Sequence, residues 1–155
     1  SAKQINSNYN FSINTINYVG NNKVNQILKN KLKKILNKEK KSTGLNLNLN
    51  STLEKVITSK DKKGNPKRFS IKIIINLEIF EGEISKDNKN FEEKFEYNNK
   101  SKKFDLEQYE KNGIKSKINS IVIVLVETLY EVTSPSYDLG VTEDELVSKW
   151  KKYYQ

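Results

Sequence analysis

Lys60, Lys62, Lys63, Lys67 and Arg68 put five cations into nine residues of a turn-forming segment, against the single acid Asp61. Cationic groups this close attract phosphates and carboxylates, so the chemistry on offer is anion binding. The competing reading is a solvated turn, because Ser59-Lys60-Asp61-Lys62-Lys63-Gly64-Asn65-Pro66 is dense in turn formers. Glu78, Glu81, Glu83, Glu92 and Glu93 could supply the carboxylate pair of a glycoside hydrolase. They fall on strand-like segments and their ends, where charge keeps a sheet soluble, so no catalytic residue is assigned. The chain has neither Cys nor His, which removes thiol nucleophiles, Ser–His–Asp triads and zinc sites of the ordinary kinds. Asp61 and Gly64 lack the spacing of a phosphate loop and do not open a helix. Neither a metal nor a cofactor is expected, and the chain is read as a non-enzyme.

The 155 residues suit one domain with a real core. Charged residues make up 30% of the chain and the net charge is +9, which favours anionic partners. Arg68 is the single arginine, and abundant Asn and Ile accompany the lysines, so an AT-rich coding sequence explains the excess as well as a selected surface does. The chain opens Ser1-Ala2 without Met, as a processed chain would. The run Ile121–Val126 is far short of the roughly 20 residues that cross a bilayer.

The elements that must carry these residues follow from the spacing of apolar side chains. Phe11 to Val19 alternates imperfectly and predicts a strand with one irregularity. Val24, Ile27, Leu28, Leu32, Ile35 and Leu36 recur at helical spacing, with lysines on the other side. Leu45, Leu47, Leu49, Leu53 and Ile57 occupy odd positions and predict a half-buried strand over Leu45–Thr58, as do Phe69 through Ile79 after the lysine-rich turn. A second turn is predicted at Lys86–Asn90, before a fourth strand through Phe91, Phe95 and Tyr97. Asp105 and Gln108 resemble a capping box ahead of a long helix from Leu106 to Val132, whose β-branched stretch Ile121–Val126 would also suit a strand. After Thr133-Ser134-Pro135-Ser136, Thr142 and Glu145 announce a short last helix bearing Leu146, Val147, Trp150 and Tyr153-Tyr154. The order of elements is β-α-β-β-β-α, then a tail, and the sheet contains a three-strand meander.

Three uses of the basic surface stay open. Lys29, Lys31, Lys33, Lys34, Lys38, Lys40 and Lys41 could follow nucleic-acid phosphates. Lysine lacks the bidentate fork that reads base edges, and the strands lack an aromatic stacking run, so nucleic acid is a second choice. A scaffold with a protein partner alone is the third.

The strand Phe11-Ser12-Ile13-Asn14-Thr15-Ile16, the helix Asn25-Gln26-Ile27-Leu28-Lys29-Asn30-Lys31-Leu32, the hairpin Ser59-Lys60-Asp61 to Arg68-Phe69, and Phe95-Glu96-Tyr97 before a long helix resemble the lipopolysaccharide-assembly lipoprotein family, LptE. The resemblance spans Phe11 to Leu129 and involves no catalytic motif; it implies an α+β fold, a four-stranded mostly antiparallel sheet packed against two helices (β-α-β-β-β-α), with residues 1–132 as the domain and 133–155 as a C-terminal extension, expected to be a short helix. It implies a lipoprotein held at the periplasmic face of the outer membrane by a lipidated N-terminal Cys. It further implies a seat inside an LptD-like β-barrel translocon, a non-enzymatic part in lipopolysaccharide export, and no nucleic acid. On that reading, Lys60, Lys62, Lys63, Lys67 and Arg68 would meet lipid phosphates or sugar acids. The lipid-bearing Cys is not in this sequence, and residues 133–155 run past the usual end of the family fold.

Overall fold

A computed structural model of the chain describes residues 11–36 and 43–133. In order, these form β1 (Phe11–Gly20), α1 (Asn22–Ile35), β2 (Thr43–Lys60), β3 (Pro66–Glu81), β4 (Ile84–Asn98) and α2 (Lys103–Val132). The four strands make one sheet in the order β1-β2-β3-β4, with β1 parallel to β2 and the other neighbours antiparallel. Parallel strands need a crossover, which α1 supplies; tight turns suffice for the rest of the meander. The element order is that expected from the apolar spacing, and the α+β arrangement is that implied by the family resemblance.

The odd-numbered side chains of β2 and β3 build the core. Leu45, Leu47, Leu49, Phe69, Ile71, Ile73, Ile75, Leu77 and Ile79 are buried, together with Tyr97 of β4. They pack against Val24, Leu28 and Leu32 of α1 and against Ile114, Ile118, Ile121, Val122, Leu125 and Leu129 of α2. Full burial of each such side chain is worth about 1.5–3 kcal/mol. The other face of the sheet carries Asn46, Asn48, Asn50, Glu54, Lys72, Asn76, Glu78 and Glu92, and no described helix covers it. There Asn76 donates to Asn88 Oδ1 and Asn90 Oδ1, both at 2.8 Å.

Position 51 breaks the apolar row on β2 and ends β1. Ser51 is 1% exposed; its hydroxyl donates to Asn25 Oδ1 at 2.6 Å, and its carbonyl accepts from Asn21 N at 3.0 Å. At this point the chain leaves the sheet through Gly20, whose φ is +102° and whose added Cβ would meet the Ser51 carbonyl oxygen. Only glycine suits both demands. Asn21 then caps α1 by accepting from Val24 N at 3.0 Å. The irregularity expected in β1 is a register shift between Ile13 and Thr15.

Two local readings are corrected. The second turn is not at Lys86–Asn90, which lies within β4; it is a tight turn at Gly82-Glu83, with Gly82 at φ +62°. One left-handed glycine between two long strands suffices, and the polar residues after it are absorbed by a register shift between Ile79 and Phe80. The Asp105–Gln108 capping box is not formed either. The cap is Lys102, without a side-chain bond, and Asp105 sits inside the first turn, where its negative charge interacts favourably with the positive end of the helix dipole. Ile121–Val126 is helical, because Ile121, Val122, Leu125 and Val126 share the buried side of α2. The C-terminal extension and its expected short helix lie outside the described residues.

Candidate functional site

The hairpin joining β2 to β3 brings the lysines together at one end of a long sheet. Asp61 organises the turn: its Oδ1 accepts from Lys63 N at 2.9 Å and Asn65 N at 2.8 Å, and its carbonyl accepts from Gly64 N at 3.0 Å. The Asn65 bond, with help from Lys63 and Gly64, holds the Asp61 carboxyl below its ordinary pKa. That carboxylate is therefore spent on the backbone, while Lys60, Lys62, Lys63 and Lys67 are exposed. Arg68 differs. It donates to Asn98 Oδ1 at 2.7 Å and lies 3.7 Å from Glu96, so it ties β3 to β4.

A second lysine group sits beside the first. Asn99 N donates to the Lys67 carbonyl at 2.9 Å and Asn99 Nδ2 to the Pro66 carbonyl at 2.9 Å, which clamps the segment before α2 against the hairpin. Lys100, Lys102 and Lys103 are exposed there, with Lys100 Nζ 4.9 Å from the Tyr109 ring centre and Lys103 3.9 Å from Glu107. The run Lys100-Ser101-Lys102-Lys103 is visible in the sequence. Its place near the tip depends on the β3–β4 pairing, which puts Asn98 opposite Arg68.

Apolar surface accompanies this charge. Phe104 is 68% exposed in the first turn of α2, and Val56, Ile57 and Tyr109 are also open to solvent. Cationic tips around exposed aromatic and aliphatic side chains suit an anionic amphiphile, whose headgroup and chains need different partners.

Below the tip, a polar contact fastens α2 to the sheet. Buried Tyr97 donates its hydroxyl to Glu110 Oε1 at 2.6 Å, and Lys55 Nζ reaches the same oxygen at 2.7 Å while lying 4.3 Å from the Phe69 ring centre. Burial, then the bond to Glu110, pushes the Tyr97 phenol well above its ordinary pKa. For Glu110, burial acts to raise the pKa, but the bonds from Lys55 and Tyr97 and the nearby positive charge outweigh it and lower the net value. The rings of Phe69, Phe95 and Tyr109 each lie 5.5–5.6 Å from that of Tyr97. Apolar spacing alone marks Tyr97 as core; its partner Glu110 could not be found that way.

Three of the five carboxylates considered for hydrolysis are engaged in separate ion pairs: Glu81 with Lys86 at 3.3 Å, Glu92 with Lys72 at 4.0 Å and Glu93 with Lys117 at 3.7 Å. Among the described residues, no group of three or more acidic side chains is placed to hold a metal ion. No described helix is long and apolar enough to cross a membrane.

No family model and no curated protein matches the sequence. Solved structures do. Rare lipoprotein B from Shewanella oneidensis matches at 12% identity and a TM-score of 0.54, over 78% of this chain and 100% of that one. Lipoprotein B from Nitrosomonas europaea matches at 12% identity and 0.51, over 88% and 96%. The chain has the fold of these bacterial lipoproteins. A homolog of a neuraminyllactose-binding hemagglutinin from Helicobacter pylori matches at 13% identity and 0.50, over 93% of this chain and 91% of that one.

Proposed function

We propose that this chain is a non-enzymatic lipopolysaccharide-assembly subunit of the LptE type. In this reading a lipid anchors it to the periplasmic face of the outer membrane, and it plugs and supports an LptD-like β-barrel translocon. The observation that carries the proposal is the hairpin end, where Lys60, Lys62, Lys63 and Lys67 stand exposed beside Lys100, Lys102 and open Phe104. Lipid A joins phosphates to acyl chains, and this end offers a partner to each. The shared fold with rare lipoprotein B supports the envelope setting. The polar outer face of the sheet suits the wet wall of a barrel lumen.

The test is affinity purification of the lipidated protein from detergent-solubilised outer membranes, beside a variant with Lys60, Lys62, Lys63 and Lys67 changed to alanine and Arg68 kept. Wild type should recover a large β-barrel protein together with lipopolysaccharide. The variant should keep the barrel and lose most of the lipid, and wild-type lipid recovery should fall with added salt. A variant that retains lipid fully would remove the hairpin from the site. Recovery of nucleic acid without barrel or lipid would overturn the proposal.

A further inference from the structure

β2 is longer than its neighbour on one side. β1 pairs with it only as far as Gly20 opposite Ser51, whereas β2 continues to Lys60. Residues 52–60 are thus paired to β3 on one side and to no described strand on the other. The direction of the free backbone groups follows from Ser51, whose carbonyl accepts from Asn21 on the β1 side. In an antiparallel ladder the N–H and C=O of one residue point the same way and alternate along the strand. Since the β2–β3 register is unbroken from Asn46 to Ile57, Leu53, Lys55 and Ile57 aim both groups at the open side. Glu54 and Val56 bond to β3 instead.

An open edge of this length is a template for a further strand. Its composition, Thr52-Leu53-Glu54-Lys55-Val56-Ile57-Thr58-Ser59, is rich in β-branched residues. Val56 and Ile57 are 54% and 46% exposed, one on each face of the sheet. Glu54 is engaged by Lys72 at 3.4 Å and Lys55 by Glu110, so the free charge near the edge is that of the tip lysines. We propose that the edge at residues 52–60 receives an extended, acidic segment of another protein by strand addition, with apolar side chains over Val56 and Ile57 and its acidic end beside Lys60, Lys62 and Lys63. A second copy of this chain, itself at +9, would bring like charge to the same place. The inference rests on the strand pairing, and its acidic end shares Lys60, Lys62 and Lys63 with the proposed lipid site.

Amide hydrogen exchange on the whole chain tests this, with a capped eight-residue peptide of four valines in one half and four glutamates in the other as probe. In the free protein the amides of Leu53, Lys55 and Ile57 exchange quickly while those of Glu54 and Val56 are protected. With the peptide at 100 times its Kd, the three open amides slow about 100-fold. The same peptide N-methylated at every residue leaves them fast, and Ile57→Pro, which removes an outward N–H without touching the β3 ladder, leaves the amides of Leu53 and Lys55 fast. If that variant does not fold, the methylated peptide still decides the matter. Three outcomes overturn the proposal: no protection by the peptide, protection already present in the free protein at every concentration, or protection that rises with protein concentration alone.

Discussion

Replacing Glu110 with alanine removes the acceptor that Tyr97 and Lys55 share, at 2.6 Å and 2.7 Å. The Tyr97 hydroxyl is then buried without a described partner, which costs about 1–3 kcal/mol. The ion pair adds less. The Lys55 side chain is 39% exposed, and half-solvated pairs contribute up to about 1 kcal/mol. The expected loss at neutral pH is about 2–3 kcal/mol, a large share of the roughly 5–15 kcal/mol that holds a domain together. Glu110→Gln keeps an acceptor for Tyr97 and loses only the charge, so it should cost about 1 kcal/mol. Urea unfolding of the three proteins measures the differences. Acid provides an independent arm. The Glu110 carboxyl titrates below its ordinary value of 4.5 in the folded chain, so its charge stabilises the fold above that value. This contribution disappears as pH falls from there through the lower folded value. The gap between wild type and Glu110→Gln should therefore narrow on acidification. An alanine variant within about 0.5 kcal/mol of wild type, the range of an ordinary surface change, would refute the reasoning. So would a glutamine gap unchanged in acid.

Gly113→Ala should destabilise by about 1–3 kcal/mol in thermal melts, because the new Cβ would meet the Phe95 ring at 2.5 Å; Phe95→Leu should recover part of the loss. Gly20→Ala should lower the melting temperature further, since it combines positive φ with a backbone clash at Ser51. Asp61→Ala should speed amide exchange at Lys63 and Asn65, the residues it holds, with the melting temperature unchanged.

Much of the architecture was legible in single residues. The odd-numbered leucines and isoleucines of β2 and β3 announced two half-buried strands, and the 3.6-residue stripe through Ile114, Ile118, Ile121 and Leu125 outweighed the β-propensity of Ile121–Val126. At the second turn composition misleads: five polar residues at 86–90 outnumber one glycine at 82, yet the glycine alone supplies the left-handed backbone of a tight hairpin. Of the five residues marked for anion binding, four stand free at the tip, while Arg68 is held by Asn98 and Glu96. Composition cannot separate a displayed cation from a strand-pinning one.

Periodicity and turn chemistry are local, and from them the sequence by itself determined the order β-α-β-β-β-α, the buried face of each element and the lysine-studded hairpin. The tertiary structure decided what depends on partners distant in sequence. It placed Lys100 and Lys102 near the tip, matched Glu110 to Tyr97 and Lys55, and stopped β1 at Gly20, opposite Ser51, so that half of β2 has no described strand on that side. Strand register and helix docking join residues through pairing across the sheet, and the spacing of side chains along one strand carries no record of where its neighbour ends.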